Sequence, residues 1–139
     1  MPNIIELLKQ DHREVEGLFA SFESGRRSAT ADRICKELEV HTAAEETFVY
    51  PALREAVSGG GHLADEAEGE HAEAKQIIGR IKQTRDPDHL TDVMAELKQA
   101  IEHHVEEEEG TVFPKMASDL GEAELDAIGA NVQEFKASK

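Results

Sequence analysis

The chain has 139 residues, 30 of them acidic and 15 basic, for a net charge of −15 and a pI near 4.8. That length suits a single domain with one core, expected to span residues 1–139, and so negative a surface excludes DNA, RNA and anionic membranes as partners. Tryptophan is absent and aromatics make up 4%, while Ala, Leu, Glu and Lys are plentiful, a balance that points to an all-α fold.

Cys35 is the one cysteine, which rules out an intramolecular disulfide and any multi-thiolate zinc or iron–sulfur site; it reads as a small core residue. No apolar run approaches the ~18 residues of a membrane span, and Met1-Pro2-Asn3 begins no signal peptide. The expectation is a cytoplasmic, soluble monomer.

Four long helical patterns and a shorter one follow in order. The first runs from Asn3, its N-cap, to about Phe22 and ends at Ser24-Gly25. The second starts near Ser28 or Thr30 and reaches Tyr50, where Pro51 should kink or break it before a short turn through Val57. Ser58-Gly59-Gly60-Gly61 reads as the loosest linker. The third helix spans about Leu63 to Lys82, and the fourth about Asp88 to Gly110, followed by Pro114. Gly121 to Lys136 reads as a short fifth helix packed across one end of the others.

The apolar faces imply how these helices assemble. Helix one aligns Ile5, Leu8, His12, Val15, Phe19 and Phe22; helix two aligns Ile34, Leu38, His41, Glu45 and Phe48. Helix three aligns Ala64, Ala67, His71, Ala74, Ile78 and Ile81; helix four aligns Val93, Leu97, Ile101, His104 and Glu108. These seams predict an up-down-up-down four-helix bundle. Each places a histidine where a leucine would be expected, and two add a glutamate.

Helices two and four carry the same phrase. His41-x-x-x-Glu45-Glu46 precedes Pro51, and His104-x-x-x-Glu108-Glu109 precedes Pro114; in both, the histidine lies ten residues before the proline and the glutamate six. Residues i and i+4 share a helix face, so each phrase aims an imidazole and a carboxylate at one point. At ~1.5 Å rise per residue, the four histidines fall within about 8–14 Å of the same end of the bundle. A lone histidine on an apolar face is ordinarily a satisfied core residue. Four histidines and two glutamates at one height would be costly to bury, and a bound cation is the natural compensation. His62 and His89 fall in linkers. His103 and Glu107 also have i, i+4 spacing, but the repeat and the Val93-Leu97-Ile101 line select His104 and Glu108.

At these residues the chain resembles the hemerythrin-like family, named for a His-His-Glu cation-binding pattern. The resemblance rests on Asp11-His12, the first clamp with Tyr50-Pro51, Glu70-His71, and the second clamp with Phe113-Pro114. It extends to Leu120-Gly121, Glu124-Leu125 and Ile128-Gly129. It implies a four-helix bundle holding a non-heme di-iron centre with an oxo or hydroxo bridge. His12, His41, His71 and His104 become terminal ligands, and Glu45 and Glu108 carboxylates bridging the two irons. The donor set suits iron, with manganese or zinc also possible. Glu46 and Glu109 are candidates to hold the outer ring nitrogens.

One departure stands out. Oxygen-carrying hemerythrins have a second histidine four residues after the first in helix three, and here that position is Lys75, read as facing solvent. Two six-coordinate irons need about twelve donor positions, of which these residues and the bridge fill roughly ten. Glu68, Glu70 and Tyr50 are candidates to compensate. Three functions then compete: reaction with peroxide or O₂, with catalase-like turnover or an oxidative-stress role; non-enzymatic binding, sensing or storage of O₂, NO or iron; and a structural metal staple. In the first two the partner is peroxide or a small diatomic ligand. Ferritin-type oxidases fit less well, because they need Glu-x-x-His on two helices.

Overall fold

The computed structural model describes residues 2–139. Asn3 opens helix α1 (Ile4–Gly25) as expected, its side-chain oxygen accepting from the backbone N–H groups of Ile5 and Glu6. Next come α2 (Ser28–Ala44), a π-helical turn (Glu45–Val49) and α3 (Tyr50–Ala56). Then α4 (Gly60–Gln83) leads to α5 (Pro87–Glu107), a second π turn (Glu108–Val112), α6 (Phe113–Asp119) and α7 (Glu122–Ala137). Asp86 caps α5 by accepting from the His89 N–H. The helices form the predicted bundle, with α2–α3 and α5–α6 as its two long arms.

Of the two outcomes expected at Pro51, a kink or a break, the break does not occur. The chain does not break at Pro51 or Pro114; it stays helical through both by widening one turn beforehand. The Tyr50 N–H reaches the Glu45 carbonyl and the Phe113 N–H reaches that of Glu108, five residues back in each case. The extra residue lets each proline sit at the start of a fresh α segment, where its missing N–H costs nothing. It also advances the buried stripe by one position. Beyond Glu45 the core side chains are Val49, Tyr50 and Leu53, and the expected seam residue Phe48 is only half-buried. Beyond Glu108 they are Val112, Phe113 and Met116.

Two further expectations are corrected. The glycine stretch is a tight corner, because Gly60 and Gly61 already belong to α4. Gly59 takes a left-handed φ of 71°, and a Cβ on Gly60 would lie 1.8 Å from the Leu53 carbonyl oxygen. Helix α7 lies alongside α1 rather than across an end. Its Gly129 abuts the Pro2 carbonyl, Phe135 meets Phe48 edge-on at 5.6 Å, and Lys136 reaches Asp11 at mid-bundle.

The apolar core falls into two clusters. One gathers Ile4, Leu8, Tyr50, Leu53, Ala64, Phe113 and Met116 with Leu125 and Val132 of α7. The other holds Phe19, Phe22, Ile34, Cys35, Leu38, Ile78, Met94 and Leu97. His12, His41, His71 and His104 occupy the level between them.

The corner gives a paired prediction. Gly60→Ala should destabilise by about 1–3 kcal/mol, since backbone must move to admit the methyl group. Gly61→Ala meets nothing within 4 Å and should gain about 0.5–1 kcal/mol from helix propensity. Urea denaturation of the two variants checks this; equal midpoints would contradict the close approach at Gly60.

Candidate metal centre

Each long helix of the bundle delivers one histidine to the mid-level, and the two π turns begin at the glutamates. His12, His41, Glu45, His71, His104 and Glu108 are all 5% exposed or less and face one another. His12, His41 and Glu108 each offer a ligand atom within 4.8 Å of the others, and so do Glu45, His71 and His104. The carboxylates tie the two groups together. Glu108 Oε1 lies 3.1 Å from His12 Nε2 while its Oε2 lies 3.3 Å from His104 Nε2. Glu45 Oε1 lies 3.3 Å from His41 Nε2 and 3.1 Å from His71 Nε2. His103, the rival on α5, is 64% exposed and contributes nothing to this layer.

The outer nitrogens follow one rule. Every Nδ1 donates to a carboxylate on a neighbouring helix: His41 to Asp11 at 2.8 Å, His71 to Glu46, His104 to Glu70 and His12 to Glu109, each at 2.7 Å. Since a carboxylate only accepts, the proton must be on Nδ1, and Nε2 is the nitrogen that faces the layer. Glu46 and Glu109 were legible from the sequence in this role. Asp11 and Glu70 were not, because each directly precedes a histidine yet serves a different one on the next helix.

The candidates for the missing ligand separate clearly. Glu68 is exposed and pairs with Arg54 at 2.7 Å. Glu70 is turned outward to His104 Nδ1 and to His103. Lys75 is 57% exposed and bonds Glu46. Tyr50 alone enters the layer: its hydroxyl lies 3.0 Å from His71 Nε2 and donates to Glu108 Oε2 at 3.1 Å. Phe113 holds the equivalent place in the second phrase and stacks on His12, ring centroids 5.9 Å apart.

The electrostatics describe a pocket built for positive charge. Burial alone would lower the His41 pKa, but Glu45, Asp11 and Glu108 outweigh it and raise it to about 10. His104 is likewise raised, against burial, by Glu108, Glu45 and Glu70. Burial would raise Glu45, yet His41 and hydrogen bonds across the layer hold it well below the ordinary carboxylate range. Four buried atoms, His12 Nε2, His41 Nε2, Glu45 Oε2 and Glu108 Oε1, make no hydrogen bond, although imidazole and carboxylate stand as close as 3.1 Å. Orphaned acceptors and imidazoles converging at one level fit a metal site, since a cation would satisfy all of them together.

Comparison with known proteins agrees. The family model described as Hemerythrin HHE cation binding domain matches residues 3–116. The chain is 27% identical to a Nostoc protein named DNA nickase, over 99% of this chain and 39% of that protein. It is 25% identical to a hemerythrin-like protein of Schizosaccharomyces pombe, over 89% of this chain and 64% of that one. It therefore spans less than two thirds of either relative. The crystal structure of an HHE cation-binding-domain protein from Mycobacterium kansasii matches with a TM-score of 0.80 at 27% identity, covering 99% of this chain and 90% of that one.

The charge pattern sets the pH dependence. Without a cation, the raised His41 pKa contributes stability that is fully present below its ordinary value of 6.5 and is lost as pH rises through about 10. Asp11 and Glu109 are shifted down from ordinary values of 3.8 and 4.5; their contribution is lost as pH falls through those lowered pKa values. The metal-free chain should thus lose melting temperature from pH 7 to pH 10. Cation affinity should rise over the same range as protons leave the imidazoles. Thermal melts with and without chelator check both; a metal-free melting temperature flat from pH 7 to 10 would show that His41 carries no extra proton.

Proposed function

The chain belongs to the hemerythrin HHE cation-binding family, and from that premise we propose that its polar layer holds two iron ions that react with a small oxidant, hydrogen peroxide or O₂. His12, His41, His71 and His104 would be the terminal ligands and Glu45 and Glu108 the bridges. The observation that carries this reading is the pair of three-donor groups, each drawing on both halves of the bundle and linked through carboxylates that face histidines on both sides. Iron, when bound, supplies redox chemistry and exchangeable coordination positions.

The rest is done by the chain's own residues. Position 75 adds no donor, since its lysine is turned to Glu46. The layer therefore has one histidine fewer than an oxygen carrier, which favours activating a small oxidant over parking it. The two ends of the layer also differ. Phe113 closes the His12 side with an apolar ring, while Tyr50 places a hydroxyl against His71 and Glu108. Burial, with Glu45 and Glu108 beside it, raises the Tyr50 pKa in the metal-free layer, where its hydroxyl donates a hydrogen bond to Glu108. This asymmetry puts a hydroxyl that can hydrogen-bond a reactant on the His71–His104 side. The near-complete burial of the ligands suits a reactant of a few atoms.

Two irons per chain are expected, lost in His104→Ala and largely retained in His103→Ala. The iron-loaded protein should evolve O₂ from hydrogen peroxide over many turnovers. Tyr50→Phe, which makes the two sides alike, should keep both irons and lower that turnover by about a hundredfold to a thousandfold. Metal analysis with oxygen-electrode assays checks this. Two irons with reversible O₂ binding and no peroxide turnover would favour a binding, sensing or storage role at the same centre.

A further inference from the structure

The four carboxylates that hold the Nδ1 atoms are alike except in what faces their outer side. Asp11 pairs with Lys136. Glu46 pairs with Lys75 at 3.2 Å, and Glu109 with Arg13 at 2.8 Å. Glu70 breaks the pattern. Among the described residues no lysine or arginine pairs with it; its outer oxygen Oε2 lies 3.3 Å from Nε2 of the exposed His103. A second carboxylate, Glu107, closes the group, and the three residues each offer a ligand atom within 4.8 Å of the others. Where the other three carboxylates meet a fixed cation, this one meets an imidazole and another negative charge.

We propose that Glu70, His103 and Glu107 form an outer site for an exchangeable divalent cation on the α4–α5 face, separate from the buried layer. His103 and Glu107 stand at i and i+4 on α5, the same clamp that His104 and Glu108 make one residue later on the buried face. Glu70 comes across from α4, so the donors belong to two packed helices. Two carboxylates and one imidazole suit zinc or another borderline divalent ion. An ion here would supply the positive charge that Lys136, Lys75 and Arg13 give the other three carboxylates. The exposed pair His62–Glu66 on α4, also i, i+4 and 3.0 Å apart, lacks a third donor and serves as the internal comparison.

The outer site stands on its own geometry; its influence on the layer, through the carboxylate shared with His104, rests on the function proposed above. The test is equilibrium dialysis of the metal-loaded protein against Zn²⁺, with the buried metal counted separately. The wild type and His62→Ala should take up one more zinc per chain than His103→Ala or Glu107→Gln, or bind that zinc at least tenfold more tightly. Equal zinc uptake by the wild type and His103→Ala would overturn the proposal. Equal losses in His62→Ala and His103→Ala would overturn it too, as the signature of non-selective binding to an acidic surface. The difference between wild type and His103→Ala can be read whatever fills the buried layer, whereas failure of the buried site appears as metal content that His104→Ala does not change.

Discussion

Four hydrogen bonds from imidazole to carboxylate run around the bundle as a closed ring. Asp11 on α1 holds the histidine of α2, and Glu46, just past α2, holds that of α4. Glu70 on α4 holds that of α5, and Glu109, just past α5, returns to the histidine of α1. Each helical arm gives one imidazole to the centre and one carboxylate to the next arm. A bond of this kind with a charged partner contributes about 1.5–3 kcal/mol, but its geometric effect is larger. It fixes the tautomer and points every Nε2 inward, and no arm can slide by a turn without breaking two links. The motif is economical in sequence, since the carboxylate sits directly beside a layer residue in every case: Asp11-His12, Glu45-Glu46, Glu70-His71 and Glu108-Glu109.

That ring lets the bundle tolerate a polar layer through its middle. The apolar clusters on either side share no buried residue, so the fold behaves as two small cores joined by a level that is unfavourable unless it holds positive charge. The π turns belong to the same arrangement. By adding one residue just after Glu45 and Glu108, they rotate Tyr50 and Phe113 inward, where an uninterrupted α-helix would have turned Phe48 to the core. The prolines that looked like helix breakers instead mark where the extra residue is absorbed.

Most of this was legible in the sequence because it is periodic. The seams, the choice of His104 over His103, the solvent-facing Lys75 and the placing of six residues at one height all follow from a 3.6-residue repeat and a duplicated phrase. What was missed is what periodicity does not encode. A π turn is a one-residue slip, visible only as two prolines at matching distances from two glutamates. The corner at Gly60 depends on a backbone contact with Leu53, which is distant on the helical net. The crossing of the ring, in which Asp11 serves His41 rather than its neighbour His12, depends on which helices adjoin. Helix α7 was read correctly as a helix and misplaced in space, since its small apolar stripe does not say which groove receives it.

The charge of the layer limits what can fill it. Six carboxylates meet there, Asp11, Glu45, Glu46, Glu70, Glu108 and Glu109, against the fixed charges of Lys136, Lys75 and Arg13. Three negative charges remain. Protons on His41 and His104 offset part of that, which is why both pKa values rise even though burial opposes it. One divalent ion leaves one negative charge, which a proton kept on a histidine away from the ion can balance. Two divalent ions leave it slightly positive, and a small anionic ligand can then balance the excess. The acidity that marks the whole chain is, at its centre, what makes the layer a place for positive charge.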